Sequence, residues 1–121
     1  MATIRYMVND VEESIKFYIN YLGFQLIEKM GPAFAIVKKE DLQLWLSGPQ
    51  TSAAREMPDG RKPESGGWNR FVIKVDDIET LVSTMKKSGI KFRNEIISGP
   101  GGKQILAEDP SGNPIEIFEA R

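Results

Sequence analysis

The stretch Asp109-Pro110-Ser111-Gly112-Asn113-Pro114-Ile115-Glu116-Ile117-Phe118-Glu119 decides how this chain is read. Its first half is a turn: Pro110 fixes φ, and Gly112 or Asn113 readily takes a positive φ. Its second half alternates apolar and acidic side chains, the pattern of a strand with one buried face. Ile115 and Ile117 then face a core, and Glu116 looks the other way. On that far side Glu116 holds a metal, contacts a ligand or stands in water, and the function depends on which.

Working outward, residues 103–108 form a strand that the Gly/Pro turn 98–102 introduces. The turn includes Gly99-Pro100-Gly101-Gly102, which precedes a strand rather than a helix and so reads as a hairpin, not a phosphate cradle. Residues 90–97 are extended. Before them Asp76 or Asp77 caps a helix running to about Ser88, with Ile78, Leu81, Val82 and Met85 as its apolar stripe and Gly89 as its stop. Residues 70–75 are a strand with Phe71, Ile73 and Val75 on one face. The first part of the chain has the same order. Strand 3–8 carries Ile4, Tyr6 and Val8. Asn9 or Asp10 caps a helix with Val11, Ile15, Tyr18, Ile19 and Leu22 in its stripe and Gly23 at its end. Strands 24–29, 33–38 and 42–46 follow. Val8-Asn9-Asp10-Val11-Glu12 matches Val75-Asp76-Asp77-Ile78-Glu79, Leu22-Gly23-Phe24 matches Ser88-Gly89-Ile90, and Leu42-Gln43-Leu44-Trp45 matches Ile115-Glu116-Ile117-Phe118. The expected fold class is therefore α+β: two βαβββ modules, 1–46 and 68–121, joined by an irregular crossover 47–67. A unit this short buries a sheet face poorly alone, so two such units, or a dimer, complete one core and form a cleft between sheets. A crossover this long is unusual in a compact domain and is either a linker or a loop over a site.

Composition narrows the chemistry. The 121 residues are 40% hydrophobic and 27% charged with a net charge of −1, as in an ordinary single-domain globular protein. No basic block favours nucleic acid, no apolar run spans a membrane, and the N-terminus enters a strand directly with no signal peptide expected. The default location is cytoplasmic. The absence of cysteine excludes disulfides and thiolate chemistry, and the absence of histidine removes the commonest general base and transition-metal ligand.

At this point the chain resembles the glyoxalase/bleomycin-resistance/extradiol-dioxygenase superfamily, also called the vicinal oxygen chelate proteins. The residues that carry the resemblance are Val8-Asn9-Asp10 through Tyr21-Leu22-Gly23-Phe24, Phe71-Val72-Ile73-Lys74-Val75-Asp76-Asp77-Ile78, Gly99-Pro100-Gly101-Gly102 and Asp109 through Glu116. The segment from Phe34 to Trp45 is similar to the bleomycin-resistance branch in particular. The resemblance implies curved sheets around a U-shaped cleft and a homodimer with its clefts at or near the subunit interface. It places the metal ligands of the family's enzymes at Thr3, Gln43, Arg70 and Glu116. Only Glu116 is an orthodox ligand, and Arg70 is a permanent cation. The expectation is no metal and no cofactor, with the family's metal-dependent lyase, dioxygenase and transferase chemistry in question.

Alternation supplies the cleft face without the family. Opposite each apolar stripe lie Thr3, Arg5 and Met7; Gln43 and Trp45; Arg70, Val72 and Lys74; and Glu116 and Phe118. The candidate ligand-binding residues are Arg5, Gln43, Trp45, Trp68, Arg70, Glu116 and Phe118, a mixture suited to a planar or amphipathic organic compound. Each has a plainer reading. Glu116 and Arg70 can simply pair, Trp45 can fill a dimer interface, and Trp68 can be a lid or a plug anchoring the crossover. Phe34 and Ile36 read as structural. The functional expectation is a metal-free, homodimeric binding protein of the bleomycin-resistance type, with a small organic ligand and antibiotic resistance as a context. The alternatives are a metal-dependent glyoxalase-type lyase with Glu116 as its catalytic carboxylate, and a structural subunit without a ligand.

Overall fold

The computed structural model describes residues 1–121 and repeats one unit twice. In the first unit β1 (Ala2–Met7) leads into α1 (Val11–Leu22), then β2 (Gln25–Met30), β3 (Phe34–Lys39) and β4 (Leu42–Ser47). In the second, β5 (Val72–Lys74) leads into α2 (Ile78–Lys87), then β6 (Ile97–Gly99), β7 (Gly102–Glu108) and β8 (Pro114–Ala120). The strands are ordered β1-β4-β3-β2 in one sheet and β5-β8-β7-β6 in the other. In each sheet the first strand lies parallel to the last, and the other neighbours are antiparallel. This is the α+β double βαβββ architecture expected from the repeat.

Local chemistry starts and stops the helices at equivalent points. Asp10 accepts from the Glu13 amide and Asp77 from the Thr80 amide, each satisfying a helix N–H that has no intrahelical partner. Glu12 and Glu13 in the first turn of α1, and Glu79 in that of α2, favour the positive end of the helix dipole. Gly23 closes α1 in the left-handed region (φ 74°) and sends its N–H back to the Tyr18 carbonyl.

The apolar stripes of both helices pack into one core of 21 buried residues drawn from both modules. Phe71 is central to the seam. Its ring lies 5.3 Å from Tyr6, 6.1 Å from Phe24 and 6.4 Å from Tyr18, between centroids. The turn before β8 is pinned to the first module by polar contacts. Tyr6 donates to the Pro114 carbonyl (2.7 Å), Asn113 Nδ2 to the Met7 carbonyl (2.8 Å), and the Asn9 amide to Ser111 Oγ (2.8 Å). Buried Asp109 is the hub. Its Oδ1 accepts from the Ser111 and Asn113 amides, and its Oδ2 from the Tyr18 hydroxyl (2.8 Å) and Asn113 Nδ2 (3.0 Å). Burial raises the Asp109 carboxyl pKa, and these hydrogen bonds oppose the rise. Burial and the Asp109 charge hold the Tyr18 phenol well above its ordinary range, and burial pushes Tyr6 up to about 12.

Two expectations need correction. Residues 90–97 do not form a continuous strand: Phe92 makes an isolated bridge to Ala107, and regular pairing begins only at Ile97. Asn94 occupies the ladder instead, its Oδ1 accepting the Leu106 amide that a neighbouring strand's carbonyl would otherwise take. The hairpin turn accordingly tightens to Pro100 and Gly101, between Gly99 and Gly102. Gly102 has φ 150°, and a Cβ there would fall 2.1 Å from the Glu119 carbonyl oxygen, so only glycine fits. Ser47 ends β4, and the rest of the expected crossover, 48–67, is irregular apart from one 3₁₀ turn, Ser52–Ala54.

Candidate functional site

The far face of each sheet carries the residues that alternation assigned to it. In the first module Thr3 stands beside Gln43 and Arg5 beside Trp45, while buried Leu44 and Leu46 point to α1. In the second, Val72 stands beside Glu116 and Lys74 beside Phe118, with Ile115 and Ile117 buried behind. Phe34 and Ile36, read as structural from the sequence, lie opposite Ser47 and Trp45 and share the Trp45 face. Phe34 packs edge-to-face on Trp45, with centroids 5.7 Å apart.

The two strand ladders also correct one equivalence. The Val8 amide bonds the Ser47 carbonyl and the Val75 amide bonds the Phe118 carbonyl, so Val8 and Val75 mark the same point in each ladder. Counting back from there, Arg5 faces Trp45 where Val72 faces Glu116. The first-module counterpart of Glu116 is therefore Trp45, not Gln43. Both strands alternate, and a two-residue slip keeps every side chain on its face, so the sequence pattern alone does not fix this register.

Glu116 is not free. Arg70 Nη2 and Nε both donate to its Oε1, at 2.8 and 3.1 Å, and Arg70 Nη1 reaches the Trp68 carbonyl at 3.3 Å. The Glu116 side chain keeps only 13% of its exposure and that of Arg70 32%. On the other sheet the Arg5 guanidinium lies over the Trp45 ring, 5.0 Å from its centroid, and donates to Ser47 Oγ at 3.3 Å. Trp45 Nε1 is buried and has no acceptor. Trp68 is 68% exposed and lies outside the core. Its ring rests on Arg93, 4.6 Å from the guanidinium carbon. Arg93 in turn donates to Glu108 (2.8 Å), the Gly67 carbonyl (2.6 Å) and the Gly112 carbonyl (2.9 Å). That hub holds the end of the crossover against the turn before β8. A basic residue in the irregular segment after α2 gave no signal of it.

The structure thus brings Arg70 to Glu116 and Arg5 to Trp45, and sets Gln43 beside Thr3. It leaves the two groups on separate sheets. None of the five main cavities is lined by Arg5, Gln43, Trp45, Trp68, Arg70, Glu116 or Phe118. The largest, about 520 Å³, lies between the Met7–Asn9 corner and the crossover. Another, about 460 Å³, touches this region only through Val72 and Lys74. Asp77, Glu79 and Glu119 also gather within 4.8 Å. Their oxygens are already engaged with the Thr80 amide, Lys103 and the Ile78 amide, respectively. No helix is long and apolar enough to cross a membrane.

The family model described as Glyoxalase/Bleomycin resistance protein/Dioxygenase superfamily matches residues 1–117, and the chain belongs to that superfamily. It is 30% identical to a lactoylglutathione lyase of Salmonella typhimurium, over 94% of this chain and 87% of that protein. It is also 30% identical to a probable chloroplastic lactoylglutathione lyase of Arabidopsis thaliana, with 98% of this chain matched but only 35% of the longer relative spanned. Among solved structures, a glyoxalase/bleomycin resistance protein/dioxygenase superfamily member from Sphaerobacter thermophilus superposes with a TM-score of 0.76 at 25% identity, over 98% of this chain and 95% of that one.

The residues at the metal positions of the family's enzymes do not fit a divalent ion. Arg70 brings a permanent cation and already takes Glu116. Thr3 and Gln43 are neutral and weak, short of the three or four strong donors such an ion needs.

Proposed function

We propose that the protein binds a planar or amphipathic organic compound without a metal, in the manner expected of the bleomycin-resistance type. The observation that carries this reading is the Arg70–Glu116 pair, which spends the only carboxylate at the family's ligand positions on a guanidinium. What remains on the two faces suits binding: aromatic surface from Trp45, Phe34 and Phe118, hydrogen-bonding groups from Gln43 and Thr3, and cations from Arg5 and Lys74. The cleft forms in a homodimer, where a second copy covers the faces that one chain leaves open. Trp68, on the Arg93 support beside Arg70, contributes from the rim.

Metal content and ligand titration together test this. Protein purified without chelator is expected to hold substoichiometric divalent metal and to change its tryptophan fluorescence with flat aromatic compounds, Trp45 and Trp68 being its only tryptophans. One divalent ion per chain, lost in Glu116→Gln, overturns the reading. So does a sedimentation profile that stays monomeric with every ligand tried.

A second reading draws on the relatives named lactoylglutathione lyase. It makes the protein a glyoxalase-type lyase with Glu116 as catalytic carboxylate, and it requires Arg70 to release that carboxylate. Isomerase-type turnover of a glutathione hemithioacetal, dependent on added divalent ion, would establish it.

A further inference from the structure

We infer that the compound is an organic anion, its charged oxygens received by Arg5 on the first sheet; this rests on the binding reading above. The ion pairs divide the chain's arginines. Arg61, Arg70 and Arg93 each meet a carboxylate, at 2.8 Å in every case, whereas Arg5, Arg55 and Arg121 meet none, and of these only Arg5 lies on a sheet face. Arg5 is nonetheless held in place, by the Trp45 ring beneath it and the Ser47 hydroxyl beside it. A guanidinium fixed by a ring and a hydroxyl keeps its charge and most of its N–H groups for another partner, and it loses little freedom on binding.

The surroundings agree in sign. Lys38 lies across from Gln43 on the same face, and Lys74 stands beside Phe118 on the other sheet; neither has a carboxylate partner. Glu116 is neutralised by Arg70, so it offers no free negative charge on the second sheet. The one acid on the first face is Glu28, out on the edge strand opposite Ile36. Trp45, whose Nε1 is buried, puts no negative charge where a carboxylate stands in the second module. A cationic ligand on the first sheet would meet Arg5 and Lys38, and a neutral one would leave them unpaired. An aromatic body with a carboxylate or sulfonate satisfies both the apolar walls and the cations.

The test compares two probes that share an aromatic skeleton: 8-anilinonaphthalene-1-sulfonate and the uncharged N-phenyl-1-naphthylamine. Probe fluorescence and energy transfer from tryptophan are titrated for the wild type, Arg5→Gln and Arg55→Gln, the last a solvent-facing cation on the crossover. The sulfonate is expected to bind about tenfold tighter than the neutral probe, a difference that Arg5→Gln abolishes, Arg55→Gln preserves and added salt reduces. Equal affinities, or a preference that survives Arg5→Gln, overturn the anion inference and leave the binding reading intact. Binding of neither probe, with the thermal melt unchanged, counts against the binding reading itself.

Discussion

Replacing Tyr18 with phenylalanine removes one oxygen from the most connected buried point of the fold. Tyr18 is fully buried, Asp109 is 4% exposed, and the hydroxyl donates to Oδ2 at 2.8 Å across 91 residues of sequence. The ring stays, so the apolar packing is nearly unchanged. What is lost is a hydrogen bond to an ionised acceptor, about 1.5–3 kcal/mol at neutral pH. With a urea m-value on the order of 2 kcal/mol/M for a domain this size, the midpoint falls by about 1 M. The pH dependence follows from Asp109. Burial raises its folded-state pKa above the unfolded value, so the group's contribution is most favourable below the unfolded pKa and is lost as pH rises through the folded pKa. The Tyr18 hydroxyl favours the ionised carboxylate, and removing it lifts the folded pKa further. The destabilisation is therefore largest at neutral pH. It shrinks toward acid, where a protonated Asp109 makes only a neutral hydrogen bond of about 1 kcal/mol. Paired urea titrations at pH 7 and pH 4 measure the difference, and carboxylates common to both proteins cancel. A loss below about 0.5 kcal/mol at pH 7, or the same loss at both pH values, refutes this account of Asp109.

Phe71→Ala empties the seam where the rings of Tyr6, Tyr18 and Phe24 meet; the expected loss is about 3–5 kcal/mol in a denaturant titration, and a loss under 1 kcal/mol would place the seam elsewhere. Gly102→Ala drives a methyl into the Glu119 carbonyl, so β7 and β8 must separate locally; the thermal midpoint should drop sharply, and an unchanged midpoint would contradict the close approach. Arg93→Gln removes the support of the Trp68 ring, and time-resolved anisotropy should gain a fast component that the parent lacks. If Trp68 moves equally in both proteins, the stack does not hold it.

The repeat was legible because it rests on local chemistry. Asp10 and Asp77 cap, Gly23 and Gly89 end the helices, and apolar residues alternate on both parallel pairs; each signal lies within a few residues of what it determines. The face assignments held for the same reason, since the buried partner of every cleft residue is its own neighbour in sequence. The joints between modules were illegible. Asp109 read as a turn residue because its local bonds to Ser111 and Asn113 explain it fully, while Tyr18 is invisible from that distance. Arg93 sits in the segment 90–97, which reads only as extended, and the position of Gly67 and Gly112 around it makes it a hub. Asn94 defeats the strand reading by the same kind of contact, a side chain taking a backbone partner.

The register correction also changes what the candidate site is. With Gln43 as the partner of Glu116, the two modules offered a weakened chelate: an amide and a carboxylate, both oxygen donors toward a shared cation. With Trp45 in that place, the first module offers a stacked guanidinium, and the second offers a carboxylate already neutralised by Arg70. Those groups do not converge on a cation from both sides. Their unpaired charge is positive, and it is concentrated on the sheet that lacks a carboxylate partner. With Glu116 held by Arg70 and Arg5 meeting no carboxylate, the proposed anion would be received on the first sheet.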